Sequence, residues 1–196
     1  MPNSEKLREG VRTAYSAAAR EPEQDHPFPV GRAFAGSVGY PRDVTDSLPA
    51  AAVEAFAGVS NVAIFADIPD TATVLDLGCG AGLDTLIAAE RVGPEGAVIA
   101  VDFSEPMLGR ARQASAEAGI SNVDFRTADA EKLPIADESV DVALLNGIFN
   151  LNPRRDEIFA ELARVIRRDG AAYAAELILR GPLPSEDRDG EANWFA

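Results

Sequence analysis

Residues 74–82 read Val74-Leu75-Asp76-Leu77-Gly78-Cys79-Gly80-Ala81-Gly82. An apolar run ends in three glycines at alternate positions, and Leu83 resumes the apolar pattern. That is the signature of a buried strand, a tight turn and the start of a helix. Glycines there let the backbone approach a ligand closely. In open α/β sheets the crevice beside such a strand is where ligands bind. A dinucleotide fingerprint beginning at Gly78 requires glycine at position 83, where this chain has Leu83. No Gly-Lys-Ser/Thr follows, which excludes a phosphate-binding P-loop. Asp76 puts a carboxylate just before the turn. It opposes a pyrophosphate and suits a ligand that carries an ammonium and a sulfonium.

On either side of the turn, residues 72–179 alternate between strand and helix patterns. Strands are expected at Thr73–Leu77, Ala97–Val101, Val123–Thr127, Val140–Leu145 and Ala171–Leu179. Helices are expected at Leu83–Arg91, from Ser104 to about Ala118, and at Arg155–Arg168. Ser104 is a suitable cap with Pro106 in the first turn, and Gly119 is a stop. In the last helix Ile158, Leu162, Val165 and Ile166 share one stripe. Alternation of this kind means a parallel sheet with right-handed crossovers. The fold class is therefore α/β: a doubly wound, Rossmann-like, mostly parallel sheet with helices on both faces.

Three segments follow from texture. Residues 1–71 form an N-terminal helical and loop lid. Its helix spans residues 4–20, with Leu7, Val11, Ala14 and Ala18 on one face. Pro22, Pro27, Pro29, Pro41 and Pro49 make residues 21–49 a loop, and a short helix after Pro49 turns Val53 and Phe56 inward before stopping at Gly58. Residues 72–180 form the binding core. Residues 181–196 are a polar tail that carries Trp194 and Phe195.

Composition narrows the function. The 196 residues are 46% hydrophobic and 26% charged, an ordinary globular balance. No run approaches the roughly 18 apolar residues of a membrane span. The N-terminus lacks the apolar stretch of a secretory signal. With 32 acids against 18 bases the net charge is −14, and such a surface repels nucleic acid and anionic membranes. One cysteine and one histidine cannot build a disulfide or a zinc framework, so no metal site is expected. These features point to the cytoplasm.

Two further acids stand at strand ends. Asp102 closes the second strand, where a carboxylate can take both ribose hydroxyls. Asp129 follows the third and can accept from an adenine amino group. A single acid at a strand end is commonly a solvated one; three after three consecutive strands form a set. His26, in Asp25-His26-Pro27, reads as a solvated loop histidine.

With these residues assembled, the sequence resembles the class I S-adenosylmethionine-dependent methyltransferases. The resemblance rests on Asp76-x-Gly78-x-Gly80-x-Gly82, on Val101-Asp102-Phe103-Ser104-x-x-Met107-Leu108, and on Asp129-Ala130-Glu131-x-Leu133-Pro134 followed by Ser139-Val140-Asp141. It narrows to the arsenite methyltransferases through Val11-Arg12-x-x-Tyr15, Asn122-Val123-x-Phe125-Arg126, Asn146-Gly147-x-x-Asn150-Leu151-x-Pro153 and Glu161-x-x-Arg164-Val165. The resemblance implies S-adenosyl-L-methionine as cofactor and a small-molecule acceptor. It implies that Asp76, Gly78, Cys79, Gly80 and Gly82 hold the methionine part. Asp102, Phe103 and Met107 would bracket the ribose and adenine, and Asp129 and Ala130 would contact adenine. Asn146 would sit beside the methyl-transfer position as the catalytic residue, and Tyr15 would close over the methionine end.

Two departures temper it. The family holds trivalent arsenic with several thiolates, and this chain has only Cys79; Gly147 stands where many relatives carry a thiol. The family's sheet continues past the fifth strand, so the last strands are expected to be missing and the exposed edge to pair in a homodimer. The expected function is methyl transfer to a small acceptor by direct displacement, with a small organic acceptor or a non-catalytic cofactor-binding relative as the alternatives.

Overall fold

The computed structural model describes residues 4–178 and Gly181. In chain order it contains α1 (Ser4–Arg20), α2 (Arg32–Ser37), α3 (Arg42–Ser47), α4 (Ala50–Val53), α5 (Val62–Phe65), β1 (Thr73–Leu77), α6 (Leu83–Val92), β2 (Ala97–Asp102), α7 (Glu105–Glu117), β3 (Val123–Thr127), β4 (Val140–Asn146), α8 (Arg155–Val165) and β5 (Ile166–Ala175). The five strands form one sheet in the order β3-β2-β1-β4-β5, and every pairing is parallel. The chain reverses direction across the sheet between β1 and β4. The carboxyl ends of those strands therefore open on a crevice.

Alternation along β1 sorts the core into two faces. Val74 packs with Val98, Val142 and Leu144 toward α6, while Leu75 and Leu77 pack with Ala143, Leu145, Ile158 and Leu162 toward α8. Helices cover both faces, unequally. On the α6 side the short N-terminal helices form a further layer, so Leu83 through Ala89 are all buried, Asp84 and Thr85 included. A helix apolar around its whole circumference is one covered on all sides.

Residues 21–49 depart from the expected loop. They contain α2 and α3, and Ala35, Tyr40 and Leu48 are buried in the same cluster as the sheet. The prolines and glycines punctuate two helices too short to show a period. The end of the chain departs in register. The helix expected to reach Arg168 stops at Val165, and β5 begins at Ile166, which pairs with Val140. Arg167–Gly170 then bulge, because pairing resumes only at Ala171 with Val142. Leu179 and the polar tail beyond Gly181, with Trp194 and Phe195, lie outside the described residues.

No helix links β3 to β4. The connecting segment instead drops Leu133 and Ile135 into the α8 face. It is fastened there by Arg164, which donates to the carbonyls of Ile135 and Leu133 and is paired with Glu161. That fastening fixes Asp129–Glu131 just before it. No helix among the described residues is long and apolar enough to cross a membrane.

Candidate active site

The crevice at the carboxyl edge holds two adjoining compartments, both open to solvent. Gly78, Asp102, Phe103, Ile148 and Leu151 line both. The inner one is walled by Tyr15, Phe56–Gly58, Asp76, Cys79, Gly80, Asp84, Met107, Asn146 and Gly147. The outer one is walled by Arg8, Arg12 and Asp129–Glu131.

The expected set thus converges. Asp76, Gly78, Cys79, Gly80, Asp102, Phe103, Met107, Asn146 and Tyr15 meet at the inner compartment, and Asp129 and Ala130 meet at the outer. Gly82 stands one step back, as the residue preceding α6. Gly78 has φ +75°, and a Cβ there would lie 2.5 Å from Ile148 Cγ2. Only glycine keeps that junction between the compartments open.

Asp76 is fully buried and accepts from the Thr85 hydroxyl at 2.5 Å. Burial and the neighbouring Asp84 carboxylate push its pKa up from 3.8 to about 8. Asp102 accepts from the Gly80 N–H at 2.9 Å and the Ser104 N–H at 2.7 Å, bonds that favour its ionised form. Burial outweighs them and raises its pKa to about 6. The carboxylate keeps lone-pair capacity for a ligand. Tyr15 stacks on Phe28 with ring centroids 4.4 Å apart, and burial raises its pKa. Met107 is packed between α1 and the turn, among Ala18, Ala19 and Ala81.

Two placements differ from the simple assignments. The Asn146 amide is spent on protein. Its oxygen accepts from the Val59 and Ser60 N–H groups at 2.7 and 3.1 Å, and its nitrogen donates to the Ser60 carbonyl at 2.7 Å and to Asp84 at 2.8 Å. It braces the wall of the compartment and offers no free group to a reacting atom. Asp129 is paired with Arg8 at 2.8 Å and with Arg12 at 3.7 Å. Beside it the Glu131 carboxylate is buried and accepts no hydrogen bond from the protein, but the same Arg8 lies 3.5 Å from its Oε1. His26 donates to the Glu21 carbonyl at 2.9 Å, outside the crevice.

The residue reading missed Asp84, Tyr40, Glu131, Glu176, the arginines of α1 and the wall at Phe56–Gly58. Glu131 stands in the quoted motif next to Asp129, which was a usable signal. Glu176 follows β5 and accepts from the N–H groups of Ile148, Phe149 and Asn150, so it shapes the loop between the two compartments.

An open parallel sheet, a glycine turn and strand-end acids at the switch point define a nucleoside-binding α/β protein. A family model described as a methyltransferase domain matches residues 68–194. The chain therefore belongs to the methyltransferase domain family, of the class I type that uses S-adenosylmethionine. It is similar to the arsenite methyltransferase of Halobacterium salinarum, 40% identical over 129 residues that make up 66% of this chain and 33% of that protein. It is similar also to the arsenite methyltransferase of Aquipseudomonas alcaligenes, 33% identical over 62% of this chain and 37% of that protein. Among solved structures it resembles an arsenic(III) S-adenosylmethionine methyltransferase from Chlamydomonas reinhardtii, with TM-score 0.64 and 26% identity over 86% of this chain and 57% of that one. The chain spans about a third of the length of the two curated relatives.

The residues present fit the cofactor that the family implies. At the outer compartment the Glu131 carboxylate, ion-paired with Arg8 at 3.5 Å, accepts no hydrogen bond from the protein, and a Cβ on Gly80 would meet nothing within 4 Å, so the turn faces open space. Cation-seeking carboxylates line the inner compartment.

Proposed function

We propose that this chain transfers a methyl group from S-adenosylmethionine to a small acceptor by direct displacement, in the manner of the arsenite methyltransferases it resembles. The observation that supports this best is the pair of joined compartments, with buried Asp76 and Asp84 in one, Asp129 and Glu131 in the other, and Asp102 shared. When bound, the cofactor supplies a methyl carbon on a cationic sulfur. Asp76 holds the ammonium of its methionine part. Asp102 takes the ribose hydroxyls, and Asp129, Ala130 and Glu131 surround the adenine. Met107 packs beside the ribose and adenine, and Tyr15 closes the inner compartment from α1. The chain contributes alignment and exclusion of water, which is most of what such a displacement needs. An acceptor that attacks with a lone pair requires no strong base.

The acceptor approaches between the Phe56–Gly58 wall and Ile148. A small organic acceptor is the second reading, favoured by one observation. Cys79 is the chain's single cysteine; it is buried, with Sγ 3.7 Å from the Gly80 carbonyl, and burial raises its pKa. Soft trivalent arsenic favours several thiolates. The test is a calorimetric titration with S-adenosylmethionine, followed by a radiolabelled-methyl screen against arsenite and small organic amines, thiols and phenols. Binding with transfer to any of these supports the proposal; absence of binding overturns it.

The partner that we propose besides the acceptor is a second copy of the chain. Among the described residues β5 pairs only with β4, and Leu177 and Ile178 beyond it are exposed. An uncovered edge of this kind pairs with other strands. Sedimentation should show a dimer, and a monomer at high concentration would overturn this.

A further inference from the structure

Asp84 is the second residue of α6 and lines the inner compartment, but no role toward the ligand has been given to it. It is 5% exposed. Three donors from three segments converge on it. The Tyr40 hydroxyl, in the turn after α2, donates to Oδ1 at 2.5 Å. The Ala63 N–H of α5 donates to the same oxygen at 3.1 Å. Asn146 Nδ2, at the end of β4, donates to Oδ2 at 2.8 Å.

All three partners present hydrogens, so the arrangement accommodates an ionised carboxylate. Burial raises the pKa of Asp84, and these same donors oppose the rise. Three carboxylates, Asp76, Asp84 and Asp102, thus line one compartment, and among the described residues lining it there is no Lys, Arg or His. A charge buried without a counter-charge is costly. The compartment is therefore built for a ligand that brings positive charge with it. Asn146 fixes the geometry: a Cβ on Gly58 would lie 2.6 Å from Asn146 Nδ2, so the wall closes directly on the amide that Asp84 holds.

We infer that Asp84 is a further specificity-determining residue of the site: it keeps a fixed negative charge against the inner compartment, and so selects the sulfonium form of the cofactor over its uncharged, demethylated thioether. The inference rests on the methyltransferase reading. It gives the compartment a direction. The sulfonium ligand is held before transfer; the product keeps its ammonium for Asp76 but no longer offers a positive sulfur to compensate Asp84.

The test is calorimetry with S-adenosylmethionine and S-adenosylhomocysteine on the native chain and on Asp84→Asn, with sinefungin, which carries an amine in place of the methylsulfonium, as a third probe. In Asp84→Asn the preference for S-adenosylmethionine and sinefungin over S-adenosylhomocysteine should fall about tenfold, the scale of one charge acting across a partly screened interior. S-adenosylhomocysteine affinity should stay within about threefold, on the same scale. Equal weakening of all three ligands would make Asp84 merely structural and overturn the inference, as would an unchanged preference. If Asp84→Asn fails to fold, Tyr40→Phe removes one donor to the carboxylate while the chain's charge is kept. It should shift the preference in the same direction by a smaller factor, and no shift in that variant overturns the inference. Failure of the native chain to bind any of the three ligands is a separate outcome, which removes the methyltransferase reading and the inference with it.

Discussion

The two compartments of the crevice are built on different physics. The inner one is made of buried acids whose hydrogen bonds are internal and whose protonation is shifted by burial. The outer one is made of acids met by arginines from α1, with Asp129 46% exposed in its side chain and Arg12 48%. Charges in the first are screened little by salt; those in the second are screened strongly. The inner compartment is preorganised by the fold, whereas the outer is completed by a helix laid across it.

The sharpest way to break the comparison is at the residue that both compartments share. Asp102→Ala should weaken S-adenosylmethionine binding by about 1–3 kcal/mol, the worth of hydrogen bonds to a charged group. Calorimetry reads it directly, and equal affinity in the variant would remove the ribose assignment.

The next effect separates the compartments by pH. In the ligand-free fold Asp76 keeps its proton to about pH 8, against an ordinary value of 3.8. The folded state therefore binds more protons than the unfolded chain between those values. Stability without ligand should be greatest at low pH in that window and decline as pH rises toward 8. Asp102, raised to about 6, adds to the same trend at the lower end. A cationic ligand demands the ionised acid, so its affinity should rise about tenfold per pH unit at most between pH 6 and 8. Protons should be released on binding. Titrations in buffers of different ionisation heat measure that release, and a pH-independent affinity would show that Asp76 does not face the ligand's charge.

The smallest effect belongs to the outer compartment. Arg8→Ala should weaken binding only about two- to fivefold, because partly exposed ion pairs contribute little. The loss should shrink further at high salt. A salt-independent loss of tenfold or more would show the outer compartment to be as buried in function as the inner.

Much of this arrangement was legible in the sequence. The glycine turn, the bounds of β1 and β3, and the meeting of Asp76 and Asp102 at one crevice follow from local pattern, because strand, turn and cap signals are local. Asp84 was not legible. An acid in the first turn of a helix is expected on the surface, where it favours the helix dipole. Its burial comes from Tyr40, 44 residues earlier, and from α5 packing over α6. The available signal was a lone acid beside Leu83 in a segment apolar on every side. Asn146 lies at the end of β4 on the wall of the inner compartment, but its partners, Val59 and Ser60, lie 87 and 86 residues away. No spacing rule reaches that far. Nor could the bulge in β5 be seen, since Arg167–Gly170 read equally well as the end of a helix.

Glu176 ties the rim of the sheet to the mouth of the crevice. One carboxylate at the end of the outermost strand gathers three consecutive N–H groups of the loop over Ile148. The position of that loop is therefore set from the sheet's edge: an edge contact that displaced Glu176 would release three N–H groups at the mouth of the pocket, and any coupling to ligand binding that resulted would act equally in both directions.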